Sequence, residues 1–418
     1  RQNRFRVLKL RHKYNFWEEE MKIKNFMPIA AALSLSLVLA SCGANKDDAN
    51  KDTSTDNDTK VEENVDDKAD KEEKEDADQT DDNTADAPEE EKGEDEKAAN
   101  PTGEEVSVTM VTDFGGVNDK SFNQSAYEGL QKADKDGAAK FDYIESHKEA
   151  DFVPNLESAL DSESDLILTV GYALFPATDE AAEENPEQNY VIIDNANEND
   201  RENLLGVSFA DHENSFLAGY IAGMQSETNN VGFVGGIKGV IIDRFEYGFR
   251  AGVEQASREK GEPITVQVQY ANSFNDQAAG KNIADRMYQE GADVIFHAAG
   301  GVGIGVIESA KENDKWVIGV DRDQQDEAPD NMLVSTVKGV GDAVRQIIDE
   351  YDEGNFEGGD KTFTLADGDA VTIAYADNGI VSQEIKDKVE DIKQDIIDGK
   401  IKVPENEDQA IEQGWIEK

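Results

Sequence analysis

From Val106 onward, short apolar runs alternate with stretches whose apolar residues recur about every 3.6 positions. The runs are Val106 to Val111, Leu166 to Val170, Tyr190 to Ile193, Leu204 to Val207, Val231 to Val234, Ile264 to Tyr270, Val294 to Phe296, Trp316 to Val320, Met332 to Val337 and Val371 to Ala376. The periodic stretches are Ser121 to Lys132, Phe152 to Leu160, Asn214 to Met224, Arg244 to Glu259, Asp276 to Gln289, Gly303 to Asn313, Gly339 to Tyr351 and Ser382 to Asp398. Continuous apolar strands separated by amphipathic helices predict parallel sheets covered on both faces, an α/β fold. Ten strands exceed one comfortable sheet, so the pattern predicts two doubly wound, Rossmann-like lobes within residues 106–418. The first takes about 106–210 and the second about 211–325, each with part of the C-terminal region. Chain crossings between them are expected near Ser208 to Asp211, near Asp323 to Asp330 and once more late in the chain.

In such lobes a ligand binds beyond the carboxyl ends of the strands, where loops lead into helices. The first strand runs into Thr112-Asp113-Phe114-Gly115-Gly116-Val117-Asn118-Asp119-Lys120-Ser121-Phe122-Asn123-Gln124. Its two glycines permit a sharp turn, Asn118 or Asp119 can cap the helix, and Phe122 and Asn123 then fall in the first helical turn. A core position is the plainer reading of Phe122. Asp113-Phe114-Gly115 echoes a kinase tripeptide, but no His-Arg-Asp loop accompanies it. Gly300-Gly301-Val302-Gly303-Ile304-Gly305 follows a strand and opens a helix, yet Val306 stands where a dinucleotide fingerprint needs its third glycine. No Walker loop, nucleophile elbow or His-Glu-x-x-His occurs, so no enzyme, cofactor or metal is expected.

The N-terminal quarter concerns addressing rather than folding. Residues 1–20 are expected to be a leader that is not translated, with Met21 as the start. Residues 21–41 read as a signal peptide, because the apolar stretch from Phe26 to Leu39 is too short to span a bilayer. Leu39-Ala40-Ser41-Cys42-Gly43 resembles the bacterial lipobox, which implies acylation of Cys42; a chance or buried cysteine is the plainer alternative. Acyl chains at roughly 0.8 kcal/mol per buried methylene would hold the protein on the outer face of a cell membrane. Residues 43–105 hold 26 acidic and 8 basic residues and no aromatic. Such a segment cannot offset its chain entropy by burial and is expected to be a disordered tether. It lacks the glycine turn and ordered spacing of an EF-hand, which argues against calcium binding.

Composition narrows the ligand class. The 418 residues include 92 acidic and 41 basic, for a formal charge of −51, and this repels polyanions and argues against nucleic acid. One cysteine excludes a disulfide framework, and four scattered histidines speak against a metal centre. From Val106 onward the balance is 63 acidic to 25 basic, in keeping with a salt-rich habitat or with solubility alone.

Several stretches together resemble one family. The run Val111 to Gly129 is similar to the opening of the basic membrane protein family of bacterial lipoproteins. Arg244-Phe245-Glu246-Tyr247-Gly248-Phe249-Arg250-Ala251-Gly252, Tyr270-Ala271-Asn272-Ser273-Phe274-Asn275-Asp276, His297-Ala298-Ala299-Gly300-Gly301-Val302-Gly303 and Val317-Ile318-Gly319-Val320-Asp321-Arg322-Asp323-Gln324 follow in the family's order. The resemblance implies a type I periplasmic-binding-protein-like fold, and a monomeric receptor that gives a purine nucleoside to an ABC permease and its ATPase. It also implies that Phe122 and Phe274 sandwich the purine. Asp113 and Asn123 would lie at the base or ribose edge, Gly300 would offer a backbone contact, and Asp194, Asp321 and Lys338 would complete the site. Asp321 suits the vicinal hydroxyls of a ribose and Asp194 the ring N–H of guanine or hypoxanthine. The polar stretch Asn195 to Asp200 departs from the pattern and is expected to alter how the base edge is read. A surface sensor or adhesin, a nucleoside hydrolase, and a receptor for a sugar or autoinducer remain alternatives.

Overall fold

The computed structural model describes residues 105–417. The expected leader, signal peptide, lipidated Cys42 and acidic tether lie outside the described residues. Twelve strands are present among the described residues: β1 (Val106–Thr112), β2 (Ala139–Ile144), β3 (Leu166–Val170), β4 (Asn189–Ile193), β5 (Leu204–Phe209), β6 (Asn230–Gly235), β7 (Thr265–Tyr270), β8 (Val294–Ala298), β9 (Trp316–Asp321), β10 (Met332–Lys338), β11 (Gly359–Phe363) and β12 (Val371–Tyr375). They form two six-stranded sheets, ordered β11-β5-β4-β3-β1-β2 and β12-β10-β9-β8-β6-β7. The first sheet is parallel throughout. The second is parallel except for β12, which runs antiparallel to β10. In both, the order reverses beside the first strand, the switch point at which doubly wound sheets open a crevice.

The apolar runs became strands because helices cover both faces of each sheet. Every residue of β3 and of β8 is buried. The ten expected strands are all present, and two more escaped the pattern. β2 (AKFDYI) and β11 (GDKTF) are edge strands with exposed charged positions, so neither reads as a continuous apolar run. The helix Phe175–Glu184 was missed as well, since Ala and Glu dominate it and only Thr178, Ala181 and Ala182 are buried.

Three crossings join the lobes. The chain leaves the first sheet at Phe209, and the following helix Asp211–Gln225 packs against the helix Val240–Lys260 and against β10 and β12. It returns after Lys338, where the helix Val340–Asp352 packs on the helix Phe122–Asp136. The third crossing is the short 3₁₀ segment Leu365–Ala370 between β11 and β12. The expected crossing at Asp323 to Asp330 is corrected: that segment holds the 3₁₀ turn Gln325–Glu327 and joins β9 to β10, neighbours in one sheet. Its polar composition marked a turn, and a turn within a sheet looks the same in sequence as one between sheets.

The glycines of the Arg244 to Gly252 stretch have a packing reason. A Cβ on Gly252 would stand 1.9 Å from the Phe216 carbonyl oxygen, and one on Gly219 would stand 2.0 Å from that of Phe249. The two helix backbones therefore meet at a distance that only glycine permits. Among the described residues, no helix is long and apolar enough to cross a membrane.

Candidate functional site: a cleft between the two sheets

Asp113 directly follows β1, Asp194 follows β4, Asp321 ends β9 and Lys338 ends β10. Phe274 follows β7, Gly300 follows β8, and Phe122 and Asn123 open the helix after β1. All eight residues expected from the sequence line one cleft, which encloses about 570 Å³ including the part open to solvent.

The helix start on the first lobe is built by Asp119. Its carboxylate accepts hydrogen bonds from the backbone N–H groups of Ser121, Asn123 and Gln124 at 2.9, 2.9 and 3.1 Å. Capping satisfies donors that a helix start leaves orphaned, and here it fixes Phe122 in the first turn at the cleft wall. Asn123 donates one amide N–H to Asp113 at 2.8 Å and another to Asp119 at 3.2 Å. Burial pushes the Asp113 carboxyl up to about 6, against the pull of Asn123 and the Gly115 N–H.

Two aspartates occupy matching places in the two lobes. Asp194 and Asp321 each stand at a strand's carboxyl end with left-handed backbone, φ 72° and 68°, and each is more than nine-tenths buried. A non-glycine residue in that region costs about 1–2 kcal/mol, a strain typical of ligand sites. Asp321 accepts a hydrogen bond from the Ser121 hydroxyl, which comes from the opposite lobe. Beside it, Gln324 Nε2 donates to the Lys120 carbonyl oxygen at 2.9 Å, and Lys120 Nζ pairs with Glu327 at 2.8 Å. These bonds tie the first helix start to the loop after β9. Burial raises Asp321 to about 6, opposed by Lys338 and Ser121.

Lys338 is 2 % exposed and carries a charge at the second crossing. Its ammonium lies 2.6 Å from Asp194 Oδ1, 2.7 Å from Asp194 Oδ2 and 3.2 Å from Asp211 Oδ2, so it bridges carboxylates of the first lobe and the first crossing. It also stands 5.1 Å from the Phe122 ring centroid, 5.2 Å from Phe209 and 5.5 Å from Phe245. Burial alone would lower its pKa, but Asp194, Asp211 and Asp321 outweigh burial and hold it above the ordinary lysine value. Asp211 is raised by burial in spite of Lys338.

On the second lobe, the Phe274 carbonyl accepts from the Val302 N–H at 3.3 Å, and its ring lies against Gly236. Ile241, Ile242 and Phe245 add apolar wall, while Tyr172, Gly171 and Asp119 add to the first lobe's side. Sequence alone marks Asp119 only as a helix cap and none of these as a lining residue. Phe245 lay within a quoted stretch and Tyr172 directly follows a predicted strand by two residues, but neither position distinguishes a lining side chain from a core one. The expectation for Asn195 to Asp200 is corrected, since none of these residues lines the cleft. Instead Asn197 donates to the carbonyls of Arg201 and Leu204 at 2.9 Å each, and its N–H donates to Asp360 at 2.6 Å. The polar stretch folds back on its own sheet. Among the described residues, no three metal-ligating side chains gather at one point.

Two sheets of one strand order, three crossings and a cleft at the strand ends define a two-lobed solute-binding protein of the periplasmic-binding-protein-like fold. The chain belongs to the family described as ABC transporter substrate-binding protein PnrA-like, which matches residues 106–407. The family consists of transport receptors rather than enzymes. The chain is 44% identical to the CD4+ T-cell-stimulating antigen of Listeria monocytogenes over 323 residues, 72% of this chain and 88% of that protein. It is 42% identical over 322 residues to the ABC transporter nucleoside-binding protein BmpA of Lactococcus lactis, 72% of this chain and 89% of that one. A crystal structure of an ABC transporter solute-binding protein from Aeropyrum pernix K1 superposes with a TM-score of 0.69 at 26% identity, covering 74% of this chain and 97% of that one.

Proposed function

We propose that the chain captures purine nucleosides in the cleft and hands them to an ABC permease driven by an ATPase. The observation that carries this is the placing of Phe122 and Phe274, one from each lobe, in the lining of one cleft that also presents Asp113, Asp194 and Asp321. A purine has two flat faces and little charge, and stacking on each is worth about 1–3 kcal/mol. Its sugar and ring edge offer N–H and O–H donors, which the carboxylates accept. Asp321 faces the ribose hydroxyls in this reading, Asp194 the ring N–H, Asn123 and Asp113 the remaining edge, and Gly300 supplies backbone. Lys338 holds Asp194 in place.

Ligand contacts made from both lobes favour the closed state, and the permease reads that closure. The name of the Lactococcus relative, a nucleoside-binding protein, supports the ligand class. In this reading the receptor is a monomer tethered through acylated Cys42 on the outer face of the cell membrane. Isothermal titration of the purified chain with guanosine, inosine, adenosine, cytidine and ribose tests the ligand. Binding of the purine nucleosides well ahead of cytidine and ribose is expected; tighter binding of ribose would replace a nucleoside receptor by a sugar receptor.

A further inference from the structure

We infer that Tyr172 is a specificity-determining residue that selects nucleosides whose base carries a ring carbonyl beside a ring N–H, as 6-oxopurines do. This rests on the proposed nucleoside function and concerns the same cleft.

Tyr172 follows β3, so it stands with Asp113, which follows β1, at the switch point of the first sheet. Gly171 makes the closeness possible. It adopts φ 117°, and a Cβ there would fall 2.3 Å from the Asp113 carboxylate. The chain thus lays the Tyr172 ring beside that acid, and the phenol oxygen reaches to 4.0 Å from where a Cβ on Gly239 of the opposite lobe would lie. The side chain is half-buried in the cleft wall.

The inventory of hydrogen bonds gives this phenol its meaning. Of the neutral side-chain donors lining the cleft, Asn123 already gives its amide protons to Asp113 and Asp119. The Tyr172 hydroxyl gives its proton to no described residue. Of the polar side chains that line the cleft with it, Asp113 and Asp194 offer carboxylate acceptors and the Asn123 Oδ1 is buried without a partner, while the Lys338 ammonium is engaged by Asp194 and Asp211. Burial and the charges of Asp113 and Asp194 raise the phenol's pKa, so it stays a donor at neutral pH. A ring lactam offers N–H and C=O side by side in one plane, the complement of a carboxylate beside a hydroxyl. An amino group at the carbonyl's position cannot accept the phenol proton and can only donate to the phenol oxygen, and the bare ring nitrogen beside it offers the carboxylate no N–H. Sites built this way discriminate because the mismatched ligand leaves a buried polar group unpaired.

The test is calorimetric titration of the full chain and of its Tyr172→Phe variant with inosine and adenosine. Phenylalanine keeps the ring and removes only the hydroxyl. The variant is expected to bind inosine about tenfold more weakly while adenosine changes about twofold or less, so that the wild-type preference for inosine collapses. Equal loss for both ligands, or no loss, would overturn the inference and leave nucleoside capture standing. Failure of the wild-type chain to bind either nucleoside would instead overturn the function on which the inference rests.

Discussion

Replacing Lys338 by methionine removes one charge from a site where two carboxylates depend on it. The ammonium lies within 2.7 Å of both oxygens of Asp194 and 3.2 Å from Asp211, in surroundings where all three side chains are at least nine-tenths buried. Methionine has nearly the same length and keeps the contact with the Phe122, Phe209 and Phe245 rings. What is lost is the pairing, and breaking a buried pair by removing one partner costs about 3–5 kcal/mol. The sign with pH follows from the acids left behind. Without Lys338 the Asp211 carboxyl, already raised by burial, is pushed further above its unfolded value, so the folded variant takes up a proton that the unfolded chain lacks. The penalty is then greatest at high pH and is relieved as pH falls, by up to about 1.4 kcal/mol per unit over the range where Asp211 is protonated in the folded variant and charged in the unfolded chain. Urea unfolding at pH 8, 6.5 and 5 measures it. A gap between wild type and Lys338→Met that narrows toward pH 5 is expected. A gap below about 1 kcal/mol at pH 8, or one that does not vary with pH, would show that the ammonium does not neutralise buried acids.

Other consequences concern the ligand. Asp113 and Asp321 hold their protons up to about pH 6, so nucleoside affinity should fall as pH drops from 7.5 to 5, and binding near pH 6 should release protons, seen as a dependence of calorimetric enthalpy on the buffer. The same groups act oppositely on the ligand-free fold, whose stability should lose their contribution as pH rises from about 3.8 through 6. Gly236→Ala would set a Cβ 2.2 Å from the Phe274 ring and displace it, so the variant should lose about 1–3 kcal/mol of nucleoside binding with little change in denaturation midpoint.

The sequence revealed the parts of this protein that follow from periodicity. Central strands such as β3 and β8 are uninterrupted apolar runs because both of their faces are covered, and they were found where expected. The edge strands β2 and β11 were not, since half of their surface faces water and carries charge. Six of the eight lining residues were legible because strand ends and family-like stretches coincide near them, whereas Asp194 and Lys338 lie outside those stretches and were marked by the strand ends they stand at. Tyr172, Ile241 and Ile242 were hidden, for whether an apolar or aromatic residue faces a cleft or a core depends on the placing of the second lobe. The pairing of Lys338 with Asp211 was equally hidden, because the two residues lie 127 positions apart and meet only where two crossings run side by side.

The central claim is that Phe122 and Phe274, from separate lobes, hold the two faces of one purine. The direct measurement is the calorimetric affinity of guanosine or inosine for Phe122→Ala and Phe274→Ala. Each variant is predicted to bind about 1–3 kcal/mol more weakly than wild type; wild-type affinity in both would contradict the account.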